Sequence, residues 1–368
     1  MKLRVLVSAV VLSQPMGGVR RHNAEVLPRA AKLLEARGGA LALLEGRERI
    51  AFEMPANVER IASSVPAHPV LVRATLEGRA LRGALETARA NGCAFDLVHT
   101  AHLPVPRALK TPYSVTIHDL RALELEHTPM SRRLIARKVI GNAVEAAAAV
   151  ITVSEHVREQ LLARFRLDPR KCHVVPNAAD HFTPLPRALC DDAALLHIGH
   201  VERRKNLEGL LRALALDPSL PRLRLAGQSK QGEEQRLRDL ACELGIAERV
   251  EFLGGFDDAL LAELYADAAC VVLPSHLEGF GIPVLEAQRA RVPLAISRAG
   301  ALAEIAGPLC PSFSPDDPAD CARAIRAALA WSAKQLDAAA LQSERYTWDE
   351  SAARMVACWE AALEGPKA

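Results

Sequence analysis

The chain has 368 residues, of which 50% are hydrophobic and 24% charged, and its formal net charge at pH 7 is +2. This length and composition exclude a disordered protein and predict two domains, each with a sizeable buried core. The small net charge gives no global signal for nucleic acid, so we expect no nucleic-acid partner. The eight cysteines form no C-x-x-C pair, which argues against a zinc site and favours reduced thiols in a cytoplasmic protein.

The chain opens with a predicted strand, a glycine turn and a helix. Residues 3–12 are interpreted as a buried strand rather than a signal peptide, because Gly17-Gly18 follow directly and no convincing cleavage site is present. A helix is predicted over residues 19–35. The glycines do not form a G-x-G-x-x-G pattern, so a dinucleotide site is not predicted. We interpret Gly17 and Gly18 as admitting a substrate, with a tight turn as the alternative.

Two later strands of the first half end in polar residues. His99, Thr100 and His102 lie at the end of a strand predicted at 97–99, and in a doubly wound sheet they would face a cleft. The next strand, 113–117, ends at His118. A histidine just past a strand can bind a hydroxyl or relay a proton, and the alternative is a histidine that orders the loop.

A basic segment follows at residues 129–144. Its four cations are Arg132, Arg133, Arg137 and Lys138. On a helix, positions 133 and 137 share a face, as do 134 and 138, so part of the segment is a basic surface. The default interpretation is a solvated face, and the functional one is docking to anionic lipid or to a phosphorylated acceptor. No stretch of the chain is long and apolar enough to span a bilayer. Any membrane contact would therefore be peripheral, at the inner face of the membrane.

A second α/β unit is predicted after an interdomain linker at residues 181–192. Its first strand, 194–198, precedes Arg203, Arg204 and Lys205, which stand before a helix. Cations are poorly placed at a helix N-terminus, so they indicate a bound anion, and diphosphate is the obvious candidate. The alternative is an exposed charge cluster.

The most informative stretch is 272–288, VLPSHLEGFGIPVLEAQ. A buried strand at 270–273, a glycine loop and a helix from Val284 suit an anionic ligand, because Gly279 and Gly281 allow close backbone approach. Glu278 and Glu286 flank the loop, and carboxylates accept hydrogen bonds from sugar hydroxyls. A phosphate between two carboxylates indicates a nucleotide sugar. The alternative is an ordinary strand-to-helix turn with nearby glutamates.

In this order, the motifs of the chain resemble those of the family 4 glycosyltransferases. The resemblance covers nearly the whole chain, and the ordered set is specific although each motif alone is weak. Glu278 and Glu286 have seven residues between them, which is the family's spacing. The matching segments are Gly17-Gly18, His118-Asp119, 150–157 (VITVSEHV), 174–180 (VVPNAAD), 202–214 (ERRKNLEGLLRAL), 250–256 (VEFLGGF), 273–287 (LPSHLEGFGIPVLEA) and 346–352 (YTWDESA).

The resemblance implies an α/β protein of the GT-B fold, with two facing Rossmann-like domains, parallel sheets and an interdomain cleft. Residues 1–183 would form the acceptor-binding domain and 184–345 the nucleotide-sugar-binding domain, and 346–368 would cross back to the first. The implied activity is retaining transfer of a hexose, with mannose favoured, from a GDP-linked donor. The acceptor would be a glycan or lipid-linked molecule in cell-surface polysaccharide or lipopolysaccharide biosynthesis.

The resemblance also assigns roles to residues. Glu286 would hold the ribose, Glu278 would face the hydroxyls of the transferred sugar, and His118 its far edge. The implied catalytic residues are His118, Glu278, Arg204 and Lys205. The implied donor-binding residues are Gly17, Gly18, Arg204, Lys205, Phe252, Leu253, Gly279, Phe280, Gly281, Ile282 and Glu286, where the cations and the amides of Gly279 to Ile282 take the diphosphate and Phe252 and Leu253 border the base.

Three further expectations concern chemistry. The chain contains no D-x-D, so we expect a metal-independent reaction and no cofactor. The family implies front-face attack, in which the leaving phosphate takes the proton of the acceptor.

The chain departs from the family pattern at two positions. His200 stands where many relatives have Arg. Ala178 stands where they have Gly, which puts a positive φ at the Asn177-Ala178 turn in doubt. The alternatives are a nucleotide-sugar epimerase and a catalytically silent nucleotide-sugar-binding partner.

Overall fold

The computed structural model describes residues 2–14, 17–106, 109–124, 129–188 and 192–364. The chain forms two compact units, one of Met1–Asn177 with Trp348–Ala368 and one of Ala178–Thr347. The chain passes from the first unit to the second after Asn177 and back after Thr347. The predicted boundaries, after residues 183 and 345, lie a few residues from these two crossings. Each unit is built on a parallel sheet, as the α/β prediction requires.

The first unit contains a seven-stranded sheet in the order β3-β2-β1-β4-β5-β6-β7. Its strands are β1 (Arg4–Ser8), β2 (Ala40–Glu45), β3 (Glu59–Ala62), β4 (Leu97–Thr100), β5 (Tyr113–Ile117), β6 (Ala149–Thr152) and β7 (Cys172–Val174). Its helices are α1 (Gly18–Ala36), α2 (Val70–Ala90), α3 (Arg121–Glu124), α4 (Met130–Ala146), α5 (Glu155–Arg164) and the last helix of the chain, α13 (Trp348–Glu364).

The second unit contains a six-stranded sheet in the order β10-β9-β8-β11-β12-β13. Its strands are β8 (Leu195–Ile198), β9 (Leu223–Ala226), β10 (Val250–Gly254), β11 (Cys270–Leu273), β12 (Leu294–Ser297) and β13 (Ser312–Phe313). Its helices are α6 (Leu207–Leu216), α7 (Glu233–Glu243), α8 (Asp258–Asp267), α9 (Ile282–Arg289), α10 (Leu302–Ala306), α11 (Pro318–Leu329) and α12 (Ala333–Ser343).

The first strand is shorter than predicted. β1 ends at Ser8, whereas the prediction extended it to Leu12. The residues that follow form turns, in which the Leu12 N–H donates to the Ala9 carbonyl at 3.0 Å. Residues 9–12 are nevertheless buried. An apolar run in the sequence indicates that its residues are buried, but buried residues can also lie in a turn, as residues 9–12 do.

The C-terminal helix α13 belongs to the core of the first unit. Its Trp348 and Trp359 are fully buried, and the helix packs against α1. Arg37, the residue directly after α1, pairs with Glu360 of α13 at 2.9 Å. The prediction that His99 faces a cleft is wrong, because Trp359 packs against its ring at a centroid distance of 5.3 Å and buries it.

The segment predicted as a linker is attached to the second unit. Residues 189–191 lie outside the described ranges, but the preceding residues contact α8, since the Ala188 N–H donates to the Ala266 carbonyl at 2.9 Å. Phe182 also packs edge-on against Tyr265, at 5.2 Å between ring centroids. Ala178, at the crossing itself, has no positive φ.

The helices of the two units are of the kind found in globular domains. Over the described ranges, every helix is either too short or too polar to cross a bilayer.

Candidate functional site

The predicted residues of the second unit gather where its strand order reverses. β8 and β11 are neighbours in the sheet, with Val271 opposite Leu196, although two strands and three helices separate them in sequence. The loops after such a pair of strands diverge and leave a crevice that binds ligands in open α/β sheets. Here the two loops are joined directly, because the His276 N–H donates to the Arg204 carbonyl at 3.0 Å.

Glu278 and the two predicted cations form one ion-pair cluster. Arg204 Nη1 lies 2.8 Å from Glu278 Oε2, and Lys205 Nζ lies 2.6 Å from Oε1. The Ser275 hydroxyl also donates to Oε1, at 2.7 Å. Arg204 Nη2 contacts Glu202 at 2.7 Å. Two carboxylates therefore balance two cations, and the predicted sugar-binding carboxylate is the counter-ion of the predicted diphosphate-binding side chains.

Glu278 and Arg204 of this cluster remain ionised at neutral pH. Burial raises the pKa of Glu278, but the charges of Lys205 and Arg204 outweigh it and lower this pKa to about 2. Burial lowers the pKa of Arg204, whereas Glu278 and Glu202 raise it, and the balance lies above the ordinary value. The Glu278 side chain is 12% exposed, so little water competes with these contacts. Fixed charges of both signs are thus present before any ligand arrives.

The cations lie on a short turn, separated from α6 by one residue. Arg203–Lys205 form a 3₁₀ turn, and Asn206 follows in the left-handed region at φ +51°. The Asn206 side chain caps α6 by accepting from the Gly209 N–H at 3.3 Å. Its amide group also donates to the carbonyls of Pro274 and Pro315. The turn is therefore held against the loop that carries Glu278.

The glycine loop begins α9 with a backbone conformation that needs glycine. Gly281 has φ +103°, and a Cβ there would lie 2.6 Å from Leu302 Cδ2. The Phe280 ring is buried and packs edge-on against Tyr346. Phe280 can thus offer a ligand its main chain but not its ring. Gly279 and Ile282 complete the loop at the start of α9.

A second loop fixes the main chain of Glu278. Gly300 lies after β12 at φ +65°, and a Cβ there would lie 2.4 Å from the Glu278 carbonyl oxygen. The Ala301 N–H donates to the same oxygen at 2.9 Å. The position of Glu278 is therefore set by main-chain contacts as well as by its ion pairs.

Glu286 is held by a tyrosine that the sequence analysis missed. The Tyr265 hydroxyl donates to Glu286 Oε2 at 2.8 Å, and His181 Nε2 lies 3.6 Å from Oε1. Burial and Glu286 together raise the pKa of Tyr265 well above its ordinary value, so its hydroxyl keeps the proton that it donates. Tyr265 comes from α8 and His181 from before β8, so no local spacing connects either residue to Glu286.

The predicted base-binding residues lie on the edge strand β10. Phe252 and Leu253 are half-buried, and the Arg238 guanidinium lies over the Phe252 ring at 4.3 Å. At the end of the same strand, Gly254 accepts from the Gly227 N–H at 2.7 Å. Gly227 follows β9 and Gly199 follows β8. A Cβ at Gly227 would lie 1.9 Å from the Gly199 carbonyl oxygen, so the close approach of these two loops requires glycine at position 227.

His118, Gly17 and Gly18 belong to the first unit. His118 follows β5 and packs edge-on against His22, with ring centroids 5.2 Å apart. Burial, with the nearby His22, His99 and Arg121, lowers the pKa of His118 well below its ordinary value, so the imidazole is neutral at pH 7. Gly17 has φ +54° and caps α1, which begins at Gly18.

His22 of α1 is the neighbour of His118, and no residue spacing in the sequence reveals that contact. The ring is buried, and its Nδ1 lies 2.7 Å from the Asn177 side-chain oxygen. Burial lowers the pKa of His22 to about 4, although the bond to Asn177 opposes this. Because the amide oxygen accepts, the His22 Nδ1 carries the hydrogen. The two rings therefore form a neutral, oriented pair.

Within the ranges that the structure describes, no group of three or more His, Cys, Asp or Glu side chains could hold a metal ion.

Two family models match the chain, one for each half. The model described as "Glycosyltransferase Family 4" matches residues 16–181, and the model described as "Glycosyl transferases group 1" matches residues 188–341.

Curated relatives and solved structures agree with this match. D-inositol 3-phosphate glycosyltransferase of Geodermatophilus obscurus is 32% identical over 296 residues, which is 73% of this chain and 62% of the relative. The chain thus spans less than two thirds of that relative. O-antigen chain mannosyltransferase B of Escherichia coli is 26% identical, over 83% of this chain and 85% of the relative. The Anabaena protein HepE, solved with UDP-glucose, has a TM-score of 0.70 at 18% identity, over 96% of this chain and 98% of that one.

Proposed function

Because the chain belongs to the family 4 glycosyltransferases of the GT-B fold, we propose that it is a retaining hexosyltransferase that uses a nucleoside-diphosphate sugar. We propose mannose as the sugar, a GDP-linked donor, and a glycan or lipid-linked acceptor of a bacterial surface polysaccharide. The similarity to an O-antigen mannosyltransferase supports the sugar and the pathway. The complex of HepE with UDP-glucose supports a nucleotide-sugar donor, and it makes UDP the nucleotide to test against GDP.

The observation that carries the proposal is the convergence of Arg204 and Lys205 on Glu278 at the switch point of the second sheet. Breaking the bond between a sugar and a diphosphate builds negative charge on the leaving phosphate. Preorganised cations stabilise that charge because they need no reorientation during the reaction. The amides at the start of α9 add partial positive charge on the same side of the sheet.

The proposed reaction proceeds on one face of the sugar. The acceptor oxygen bonds to the anomeric carbon as the bond to the phosphate oxygen breaks, and that phosphate oxygen takes the acceptor proton. The configuration is then retained. We propose that neutral His118 exchanges hydrogen bonds with a sugar hydroxyl, and that Glu286 binds the ribose. The cations take the role that a divalent metal has in other transferases, so the proposed reaction needs no metal.

A donor screen tests this proposal. We expect one nucleotide sugar from a panel of GDP-, UDP- and ADP-linked sugars to raise the melting temperature of the full chain. Glu286→Gln should abolish the shift, whereas Glu243→Gln, at an exposed position at the end of α7, should preserve it. With acceptor present, nucleoside diphosphate should be released and the anomeric configuration retained, and EDTA should leave the rate unchanged.

Three results of the screen would contradict the proposal. Conversion of donor to an epimer without acceptor would identify an epimerase. A donor shift without any turnover on a broad acceptor panel would identify a silent binding protein. The absence of any donor shift would remove the nucleotide-sugar assignment.

Tyr265→Phe is expected to weaken binding of a nucleoside diphosphate by about tenfold to a hundredfold, because a hydrogen bond to a charged group contributes about 1.5–3 kcal/mol. The substitution removes the 2.8 Å bond to Glu286 and leaves the ring in place. Calorimetric titration should show the loss for the ribonucleotide but not for its 2′,3′-dideoxy analogue, since the dideoxy sugar lacks the hydroxyls that Glu286 would bind.

Tyr113→Phe is the matched control. The Tyr113 hydroxyl donates to the Ala143 carbonyl at 2.7 Å in the first unit, so this variant also loses one hydrogen bond. Its nucleotide affinity should not change. Equal weakening for both nucleotides in Tyr265→Phe would reduce Tyr265 to a structural role.

A further inference from the structure

Helix α4 exposes large apolar side chains among its cations. Met130, Leu134 and Ile135 are each more than 60% exposed, and they lie in the first two turns of the helix. Arg132, Arg137 and Lys138 are exposed on the same helix, and Arg133 is half-buried. A water-facing helix face normally carries only polar residues. The solvated-face interpretation accounts for the cations but not for the apolar side chains between them.

A basic crevice adjoins these residues. It has a volume of about 600 Å³ and lies between α4 and the end of α5. Its charged lining residues are Arg137, Lys138, Arg164, Arg166 and Glu145. Arg164 is neutralised by Glu124 at 2.6 Å. The remaining three cations face one carboxylate, which leaves an excess of positive charge where the crevice opens.

Leu134 connects the two features, because it lines the crevice and is also among the exposed apolar side chains. Phe165 forms part of the crevice wall close to Gly141, where an added Cβ would lie 3.3 Å from its ring. The surface therefore has a cationic crevice beside an apolar ridge formed by the exposed side chains of Met130, Leu134 and Ile135. Phosphate groups suit the crevice, and hydrocarbon suits the ridge.

We propose that α4 and the crevice form a docking surface for an anionic lipid bilayer. Lipid phosphates pair with Arg137, Lys138 and Arg166, while Met130, Leu134 and Ile135 enter the interfacial region. Stable peripheral binding needs two such signals, since neither cations nor a few apolar side chains suffice alone. A nucleic-acid backbone would use the cations but leave the apolar ridge in water, and α4 itself carries no aromatic residue on which bases could stack. Lipid is therefore the occupant that the whole surface fits.

Sedimentation with vesicles tests this proposal on the full chain. We expect binding to vesicles that contain phosphatidylglycerol, weak binding to pure phosphatidylcholine, and a loss of binding as NaCl is raised. The triple variant R137E/K138E/R166E should lower the partition coefficient at least about tenfold, because three attractive charges near an anionic surface become repulsive. Leu134→Ser with Ile135→Ser should also weaken binding, but its salt dependence should persist.

The control is K32E/R79E/R89E, which reverses three exposed cations elsewhere in the first unit. Equal binding by the two triple variants would overturn the proposal, as would equal binding to neutral and anionic vesicles. If inorganic phosphate displaced the protein from vesicles more strongly than NaCl of the same ionic strength does, the crevice would be reassigned to small anions. Equally tight, crevice-dependent binding of oligo-dT would reassign it to nucleic acid. None of these measurements involves donor or turnover, so they stand apart from the proposed activity.

Discussion

Lys205→Ala is expected to lower kcat about a hundredfold or more, the loss that follows removal of one preorganised donor from a developing anion. Lys205 Nζ lies 2.6 Å from Glu278, next to Arg204, and its side chain is 11% exposed. Little water can take the place of the missing ammonium, so the charge on the leaving diphosphate would lose half of its cationic stabilisation. Initial rates at saturating donor measure the effect.

The control for this variant lies two residues away in the chain. Arg203 belongs to the same 3₁₀ turn, but its side chain is 64% exposed and pairs only loosely with Glu233, at 3.7 Å. Arg203→Ala should keep kcat within about twofold, because exposed ion pairs contribute little. If Lys205→Ala retained the same kcat as Arg203→Ala, the leaving group would not be stabilised at this cluster.

Glu278→Gln is expected to reduce the free energy of unfolding at pH 7 by about 3 kcal/mol, the equivalent of lowering a carboxyl pKa from 4.5 to about 2. The amide has the size of the carboxylate but no charge, so Arg204 and Lys205 lose their shared partner. Such a loss is large for one side chain, because buried charges without partners are costly. Urea unfolding followed by circular dichroism measures it.

The pH dependence separates this effect from a packing defect. The pKa of Glu278 is lower in the folded chain than its ordinary value, so its stabilisation is fully present above pH 4.5 and disappears as the pH falls towards 2. The difference between wild type and Glu278→Gln should shrink over that window. Glu243→Gln, at an exposed position, should differ from wild type by less than about 0.5 kcal/mol at every pH. A pH-independent deficit in Glu278→Gln would exclude the ion-pair explanation.

The best-predicted elements are those in which the buried apolar run and the strand have the same bounds. β5 and β11 have the predicted bounds, because each is a short stretch of strand-forming residues between turn formers, and β11 is apolar throughout, as a buried parallel strand is. β1 was extended too far, since the apolar run continues into buried turns where no partner strand follows.

The candidate site was predicted less completely than the fold. The motifs placed Arg204, Lys205 and Glu278 at loops and Glu286 in the helix that follows, and the sheet order brings those loops together. The pairing of Lys205 with Glu278 depends on two strands being neighbours, which residue spacing cannot reveal. Tyr265 was missed for the same reason. The functional roles of all these residues remain predictions.

The packing of α13 on α1 has a consequence for biosynthesis. The second unit, 178–347, is one continuous stretch, whereas the first is completed only by residues near the C-terminus. The core of the first unit cannot close until Trp348 and Trp359 have been synthesised, and they follow the whole second unit in the chain. N-terminal domains of multidomain chains usually fold first. Here the N-terminal segment must wait until the last helix has left the exit tunnel, so its unpaired apolar surface depends longest on protection from aggregation.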